Sequence, residues 1–246
     1  MKTAQAFQTQ HKCTGCELRG EGFFCDLKPG VLAAFEALKI TNTYPKGATL
    51  FTEGEDANGV YMLCKGRVKL SAYSSDGKAL ILRIANAGEI LGLSAAIGDM
   101  PHKATAEVLE NCQVNFVRKP DFLRFLHEQA DAGFNALRQL SSNYHAAYTQ
   151  VCSLGLSSSV GDKLAKLFLG WCEAMNGTDG RIHLKVTFSH EEIAEMIGTS
   201  RETVTRLLKD FRQRDLISLK GSDLYINDRR RLEAAIGTRS HLRTTV

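Results

Sequence analysis

Two stretches of this sequence carry more chemistry than their surroundings. The first is 13-CTGCELRGEGFFC-25, where Cys13, Cys16 and Cys25, three of seven cysteines, crowd into 13 residues. A structural thiol has no reason to gather in a glycine-rich, polar arm. Metal binding or oxidation supplies one, because exposed thiolates are what metals and oxidants find. The second stretch is 199-TSRETVTRLL-208. Val204, Leu207, Leu208 and Phe211 follow i, i+3, i+4, i+7, an apolar stripe that docks a helix on a core. That leaves Arg201, Glu202, Thr205 and Arg206 on the other side, with Ser200 and Lys209 beside them. Thr199 and Glu202 also spell T-x-x-E, a capping box that would turn the acid back onto the first turn. Just ahead, 190-HEEIAEMIG-198 reads as a second short helix with Ile193, Ala194 and Ile197 inward and Gly198 at the corner. Two short helices joined by a glycine turn are the helix-turn-helix pattern, whose second helix enters the DNA major groove by its N-terminal residues. Arg and Glu read guanine and cytosine edges there, so double-stranded DNA is the expected partner.

Composition sets the frame for these motifs. At 246 residues the chain has room for two modest domains, and 43% apolar residues permit real cores. Net charge is only +4, but from Arg201 onward 11 Lys/Arg stand against 6 Asp/Glu. No apolar run approaches the roughly 20 residues needed to cross a bilayer. The start, MKTAQAFQTQHKC, has no signal-peptide core, so a cytoplasmic location without a membrane partner is expected. There the cysteines would be thiols, metal ligands or redox sensors rather than disulfides. No Ser/His/Asp or paired-carboxylate constellation supports catalysis, and an enzyme is not expected.

The elements that must position the motifs follow in order. Residues 1–30 form a cysteine-containing arm, with a helix at 31-VLAAFEAL-38 behind it. From about Thr43 to Val117 short strands alternate with glycines 47, 54, 59, 66, 77, 88 and 92, the texture of an antiparallel barrel or jelly roll. Pro120 opens a helix, and residues 31–129 are expected to form one β-roll sensor domain. Residues 130–155 then form a long helix. On it Phe134, Leu137, Ser141, Tyr144, Tyr148 and Val151 alternate spacings of three and four, an a/d seam that predicts a homodimer. Small residues in 155-GLSSSVGDK-163 mark a linker. Residues 156–246 carry a helix, a strand pair around RIHLKVTFS, the helix-turn-helix, and a β-hairpin at 216-LISLKGSDLYIND-228 that serves as a wing. The fold class is α+β.

A β-roll, a long dimer helix and a C-terminal winged helix-turn-helix, in this order, resemble the Crp/Fnr family of bacterial transcription regulators. The likeness runs from about Lys12 to Gly237. Its most specific piece is IGTSRETVTRLLKDFRQRDLI, with LFTEGEDANGVYMLCKGRVKL and AGEILGLSAAIG beside it. The resemblance implies base contacts from Arg201, Glu202 and Arg206, palindromic TGTGA-like half-sites, and RNA polymerase as a partner. In the family's cyclic-nucleotide branch a Glu after the G-[DE]-x-x-G turn binds ribose and an Arg-Ser pair clamps phosphate. Here those positions are Leu93 and Lys103-Ala104, which argues against cyclic AMP.

The segment from Ala87 to Glu110 looks closer to the Fnr branch, which senses oxygen with an iron–sulfur cluster. C-x2-C-x8-C resembles that branch's cluster arm, with a longer second gap. A 4Fe–4S cluster takes thiolate ligands, and the branch draws its fourth from the position of Asn115. Cys112, three residues earlier, falls on the opposite face of a regular strand. It joins Cys13, Cys16 and Cys25 in the candidate set with core packing as its competing role, and Cys64 is the second choice. Zinc held by the three arm cysteines and His11, heme, or thiols without any metal remain alternatives, as does a constitutive regulator without an effector.

Overall fold

The computed structural model describes residues 12–20, 22–174, 182–185, 188–220 and 223–236. Two compact units meet in the chain between Ala147 and Tyr148.

The first unit is the expected β-roll. After a 3-10 turn (Cys13–Gly15), helix α1 (Pro29–Leu38) starts on a proline, which suits the first helical position. Eight strands follow: β1 (Ile40–Tyr44), β2 (Thr49–Phe51), β3 (Gly59–Lys65), β4 (Val68–Tyr73), β5 (Ala79–Ala85), β6 (Ile90–Leu91), β7 (Thr105–Val108) and β8 (Cys112–Arg118). They make two antiparallel four-stranded sheets, ordered β1-β8-β3-β6 and β2-β7-β4-β5. Helix α2 (Leu93–Gly98) lies between β6 and β7, inside a stretch whose glycines suggested only turns.

Side-chain alternation along β3 serves two cores at once. Leu63 joins Phe51, Val68, Ala106, Val108, Cys112 and Val114 between the sheets, with Tyr61 packed against them. Val60 and Met62 face the other way, into a second core with Phe24, Leu27, Leu32, Phe35, Phe122 and Phe125. Phe24 sits at its centre, 6.2 Å from the Phe35 ring and 6.0 Å from the Phe122 ring. A fully buried Phe contributes about 1.5–3 kcal/mol. The arm is therefore part of the core and not a polar tether: Phe24, Cys25 and Leu27 are buried in it, and Cys13, Leu18 and Phe23 pack against it.

Most of the glycine punctuation serves turns, with positive φ at residues 47, 54, 66, 77, 88 and 92. Gly59 differs: a Cβ there would sit 2.4 Å from the Phe116 ring and from the Val117 carbonyl, so close packing of β3 on β8 excludes any larger residue.

Helix α3 (Lys119–Glu128) leads into the long helix α4 (Ala130–Leu156). Its buried residues are Ala132, Ala136 and Gln139. Gln139 pairs with the backbone of Ile90 like a neighbouring strand, accepting from its N–H at 3.1 Å and donating to its carbonyl at 2.6 Å. The seam residues Phe134, Leu137, Ser141, Tyr144, Tyr148 and Val151 are all exposed in the chain.

The second unit holds α5 (Val160–Ala174), β9 (Ile182–Lys185), α6 (His190–Ile197), α7 (Arg201–Gln213), β10 (Ile217–Lys220), β11 (Asp223–Ile226) and α8 (Arg229–Ala234). The linker is three serines long, and Ser159 Oγ accepts from Asp162 N–H to start α5. Among the described residues RIHLKVTFS contributes one strand, not a pair: β9 joins the wing, giving the order β10-β11-β9. The wing's glycine turn and His11 lie outside the described residues.

Candidate nucleic-acid interface and a cysteine face

Helix α6 begins with a full capping box: Ser189 Oγ accepts from Glu192 N–H, and the Glu192 carboxylate accepts from Ser189 N–H at 2.7 Å. It buries Ile193, Ala194, Met196 and Ile197 and ends on Gly198 in the left-handed region at φ 64°. Only a residue indifferent to positive φ makes this corner without strain. Helix α7 then buries Val204, Leu207, Leu208 and Phe211, the stripe expected from the sequence.

Its N-cap is Ser200, not Thr199. Ser200 Oγ accepts from Thr203 N–H at 3.3 Å, so the T-x-x-E reading was one residue out of register. Glu202 stays exposed in the first turn. Its own backbone N–H, then the Ser200 hydroxyl, then Arg201 hold its carboxyl below the usual range. Arg206 and Lys209 extend the exposed face by one further turn and more.

Thr205 is exposed, but its hydroxyl has local duties. It donates to the Arg201 carbonyl at 3.0 Å and stands 2.9 Å from His190 Nδ1. A hollow lined by His190, Arg201, Glu202, Thr205, Arg206 and Lys209 runs along the helix toward Leu219 of the wing. His190 escaped the sequence reading because its role depends on a contact 15 residues away. The arrangement offers two guanidinium forks and one carboxylate on a rigid helix start, the donor and acceptor set that base edges in the major groove require.

The cysteines form the second region. Cys25 is buried at 8% exposure in the Phe24 core, and Cys13 and Cys64 pack against the same core. Cys64 occupies a bulge: β3 pairs with β8 at Leu63–Val114 and next at Lys65–Gln113, leaving Cys64 between them. Burial pushes its thiol up to about 12, and the thiols of Cys13, Cys25 and Cys16 add to the shift. Asn115 Nδ2 donates to Cys64 Sγ at 3.0 Å, while its Oδ1 accepts from the Thr41 hydroxyl. Lys39 Nζ donates to Cys13 Sγ at 3.2 Å. Burial raises the Cys13 thiol, with Lys39 pulling it down.

Cys112, placed with the arm cysteines in the candidate set, stands apart from them. It is fully buried between the sheets, with Sγ toward the Glu110 and Arg67 carbonyls. The strand alternation that faces Asn115 toward Cys64 turns Cys112 to the opposite side. Among the described residues no three His, Cys, Asp or Glu side chains are gathered to hold a single metal ion.

The arm is fastened to α4. Asn135 Nδ2 donates to the Phe23 carbonyl, the Arg138 guanidinium lies 5.2 Å from the Phe23 ring centre, and Lys28 pairs with Asp131 at 2.8 Å.

Residues 41–129 match the cyclic nucleotide-binding domain family, and residues 162–235 match the Crp-like helix-turn-helix domain. The chain belongs to the Crp/Fnr family of transcription regulators. It is 26% identical over 213 residues to the CRP-like cAMP-activated global transcriptional regulator of Mycobacterium tuberculosis, covering 86% of this chain and 94% of that one. It is 26% identical over 197 residues to the anaerobic regulatory protein of Bacillus subtilis, covering 79% and 82%. A CooA mutant from Carboxydothermus hydrogenoformans shares the fold at TM-score 0.72, with 23% identity over 93% of this chain and 99% of that one. As a Crp/Fnr-type DNA-binding regulator, the protein reads DNA through the helix-turn-helix of α6 and α7.

At the positions that the resemblance aligned with ribose and phosphate contacts the chain carries Leu93, an exposed Lys103 and Ala104. Leu93 is buried beside Ala95 and Ala96, and Ala104 offers no hydroxyl. The nearby His102 ring stacks on Phe51 at 3.8 Å, and burial pushes its imidazole below the ordinary value.

Proposed function

We propose that this regulator is a homodimer that recognises palindromic TGTGA-like half-sites and responds to a redox or oxygen-type signal through its N-terminal cysteines, not to cyclic AMP. The observation that carries the signal half is the cysteine face: thiols of the arm meet one core, and the arm is hydrogen-bonded to the same helix that bears the exposed seam. A 4Fe–4S cluster bound there would supply oxygen-labile iron and sulfide. The chain's own part is to hold the thiolates, exclude bulk water with the Phe24 core, and pass any shift of the arm to α4 through Asn135, Arg138 and Asp131. The DNA half rests on Arg201, Glu202 and Arg206 standing together at the exposed start of α7. RNA polymerase is the further partner that the family resemblance implies. Against cyclic AMP stand Leu93 and Ala104, which remove two polar contacts.

The test is selection from random duplexes with protein purified without oxygen, repeated after air exposure and with cyclic AMP. Palindromic half-sites, loss of affinity in air and indifference to the nucleotide are expected. Equal affinity before and after air would remove the redox reading and leave a constitutive regulator. Saturable micromolar cyclic AMP binding that tightens DNA binding would restore the nucleotide one.

A further inference from the structure

We propose that Cys64 is the fourth thiolate of an iron–sulfur site whose other ligands are Cys13, Cys16 and Cys25. The inference rests on the redox reading above and deepens it by completing the ligand set. Four independent features of the roll converge on this sulfur. Cys64 is the bulged residue of β3, and bulges re-aim side chains beside functional sites. It packs against the core that takes in Cys25 and Cys13. All three arm thiols act on it electrostatically, which requires them to be near. Finally, Asn115 presents an amide N–H to its sulfur, and Thr41 holds that amide in the donating orientation. An oriented donor on sulfur has little to gain from a neutral thiol. It stabilises a metal-bound thiolate and tunes it, as outer partners of metal ligands do. Lys39 places a cation against Cys13 in the same sense.

A single ion and a cluster make different demands on four cysteines. Zinc–sulfur bonds of about 2.3 Å would draw four sulfurs to within about 4 Å of one another. No three ligating side chains among the described residues are so gathered. A cluster gives each cysteine its own iron and spans a wider gap. Assembly takes ferrous and ferric iron in equal parts with inorganic sulfide, so that no further oxidant is needed, and each of the four thiols releases its proton to solvent as its Fe–S bond forms.

The experiment is anaerobic reconstitution of the full chain with ferrous and ferric iron in equal parts and sulfide, reading iron, sulfide and visible absorption per chain. The parent, Cys64→Ser, Cys112→Ser, Cys13→Ala/Cys16→Ala and Cys64→Ala/Asn115→Cys are compared, with circular dichroism of the metal-free proteins as the folding control. The parent and Cys112→Ser should each take up about four irons. Cys64→Ser should fall to about three or fewer, with its visible band weakened. The Asn115→Cys change should rescue the Cys64→Ala protein, since the Asn115 amide nitrogen lies 3.0 Å from the sulfur it would replace. Full uptake by Cys64→Ser beside loss in Cys13→Ala/Cys16→Ala overturns the role of Cys64 and leaves the sensor reading standing. A parent that takes up no iron, or zinc in its place, overturns both.

Discussion

On α7 the groups that do chemistry stand in water. Arg201, Glu202, Arg206 and Lys209 are exposed, and the helix keeps them there by burying Val204, Leu207, Leu208 and Phe211 on its other side. Around β3 the reactive groups are withdrawn. Cys25 is buried, and burial pushes the Cys64 thiol up to about 12. The difference is between a surface that is always charged and a site that becomes charged only when something displaces its protons. DNA, a polyanion, needs the first kind, available at any moment. The proposed signal would need the second, because a site that is neutral without its effector has two states to offer. Helix α4 carries residues of both units: Asn135 and Arg138 hold the arm, and Gln150 donates to the Met196 carbonyl of α6.

The largest expected effect separates the two regions by removing the dimer. Tyr144→Asp/Tyr148→Asp would bring four carboxylates together on the seam, a large repulsion and desolvation penalty. Sedimentation should show a monomer, and affinity for a two-half-site duplex should fall by about 100-fold or more as avidity is lost. Iron uptake by the arm should not change. An unchanged dimer would place the seam elsewhere and dissolve the contrast.

Next comes the core beneath the cysteines. Phe24→Ala removes a fully buried ring from between Phe35 and Phe122 and should cost about 3–5 kcal/mol in denaturant unfolding of the first unit. Base preference at the operator should stay as it was. If the loss is below about 1 kcal/mol, the arm is not held by its core and the withdrawn character of the thiols has another cause.

How far each region could be read in the sequence follows from the range of its interactions. The face of α7 depends on residues three and four apart, so the stripe from Val204 to Phe211 and the cluster from Arg201 to Lys209 were legible at once. The exposed stripe of α4 from Phe134 to Val151 was legible for the same reason. The cysteine face depends on which strand lies beside which and on where a register slips. Cys64 meets the arm because β3 lies beside β8 and bulges after Leu63, and no local pattern encodes either fact. The opposite facing of Cys112 and Asn115, a local consequence of period two, was legible and holds. Gln139 and His190 were invisible because their partners, Ile90 and Thr205, lie 49 and 15 residues away.

A change at the exposed region should leave stability alone. Arg206→Ala should cost roughly 1–3 kcal/mol in affinity for a selected site and relax the preference for one guanine per half-site. The melting temperature of the second unit should move little, because the side chain is exposed. Full selectivity in the variant would mean that Arg206 contacts only phosphate or nothing.

The smallest effect decides the register of α7 itself. Ser200 accepts from the Thr203 N–H as N-cap, while Thr199 lies outside the helix and its own N–H donates to the Ala194 carbonyl in the turn. Ser200→Ala should therefore destabilise the helix-turn-helix by about 1 kcal/mol, whereas Thr199→Ala keeps that backbone bond and should stay within about 0.5 kcal/mol of the parent. The Ser200 hydroxyl is also among the causes that hold the Glu202 carboxyl low. Its removal should raise the pH at which Glu202 takes a proton, read by carboxyl-resolved NMR titration. The sign is fixed by the lost donor: an acid that loses a hydrogen bond to its charged form binds its proton more readily. Were Thr199→Ala the more damaging of the two, the capping box would run from Thr199 to Glu202 after all.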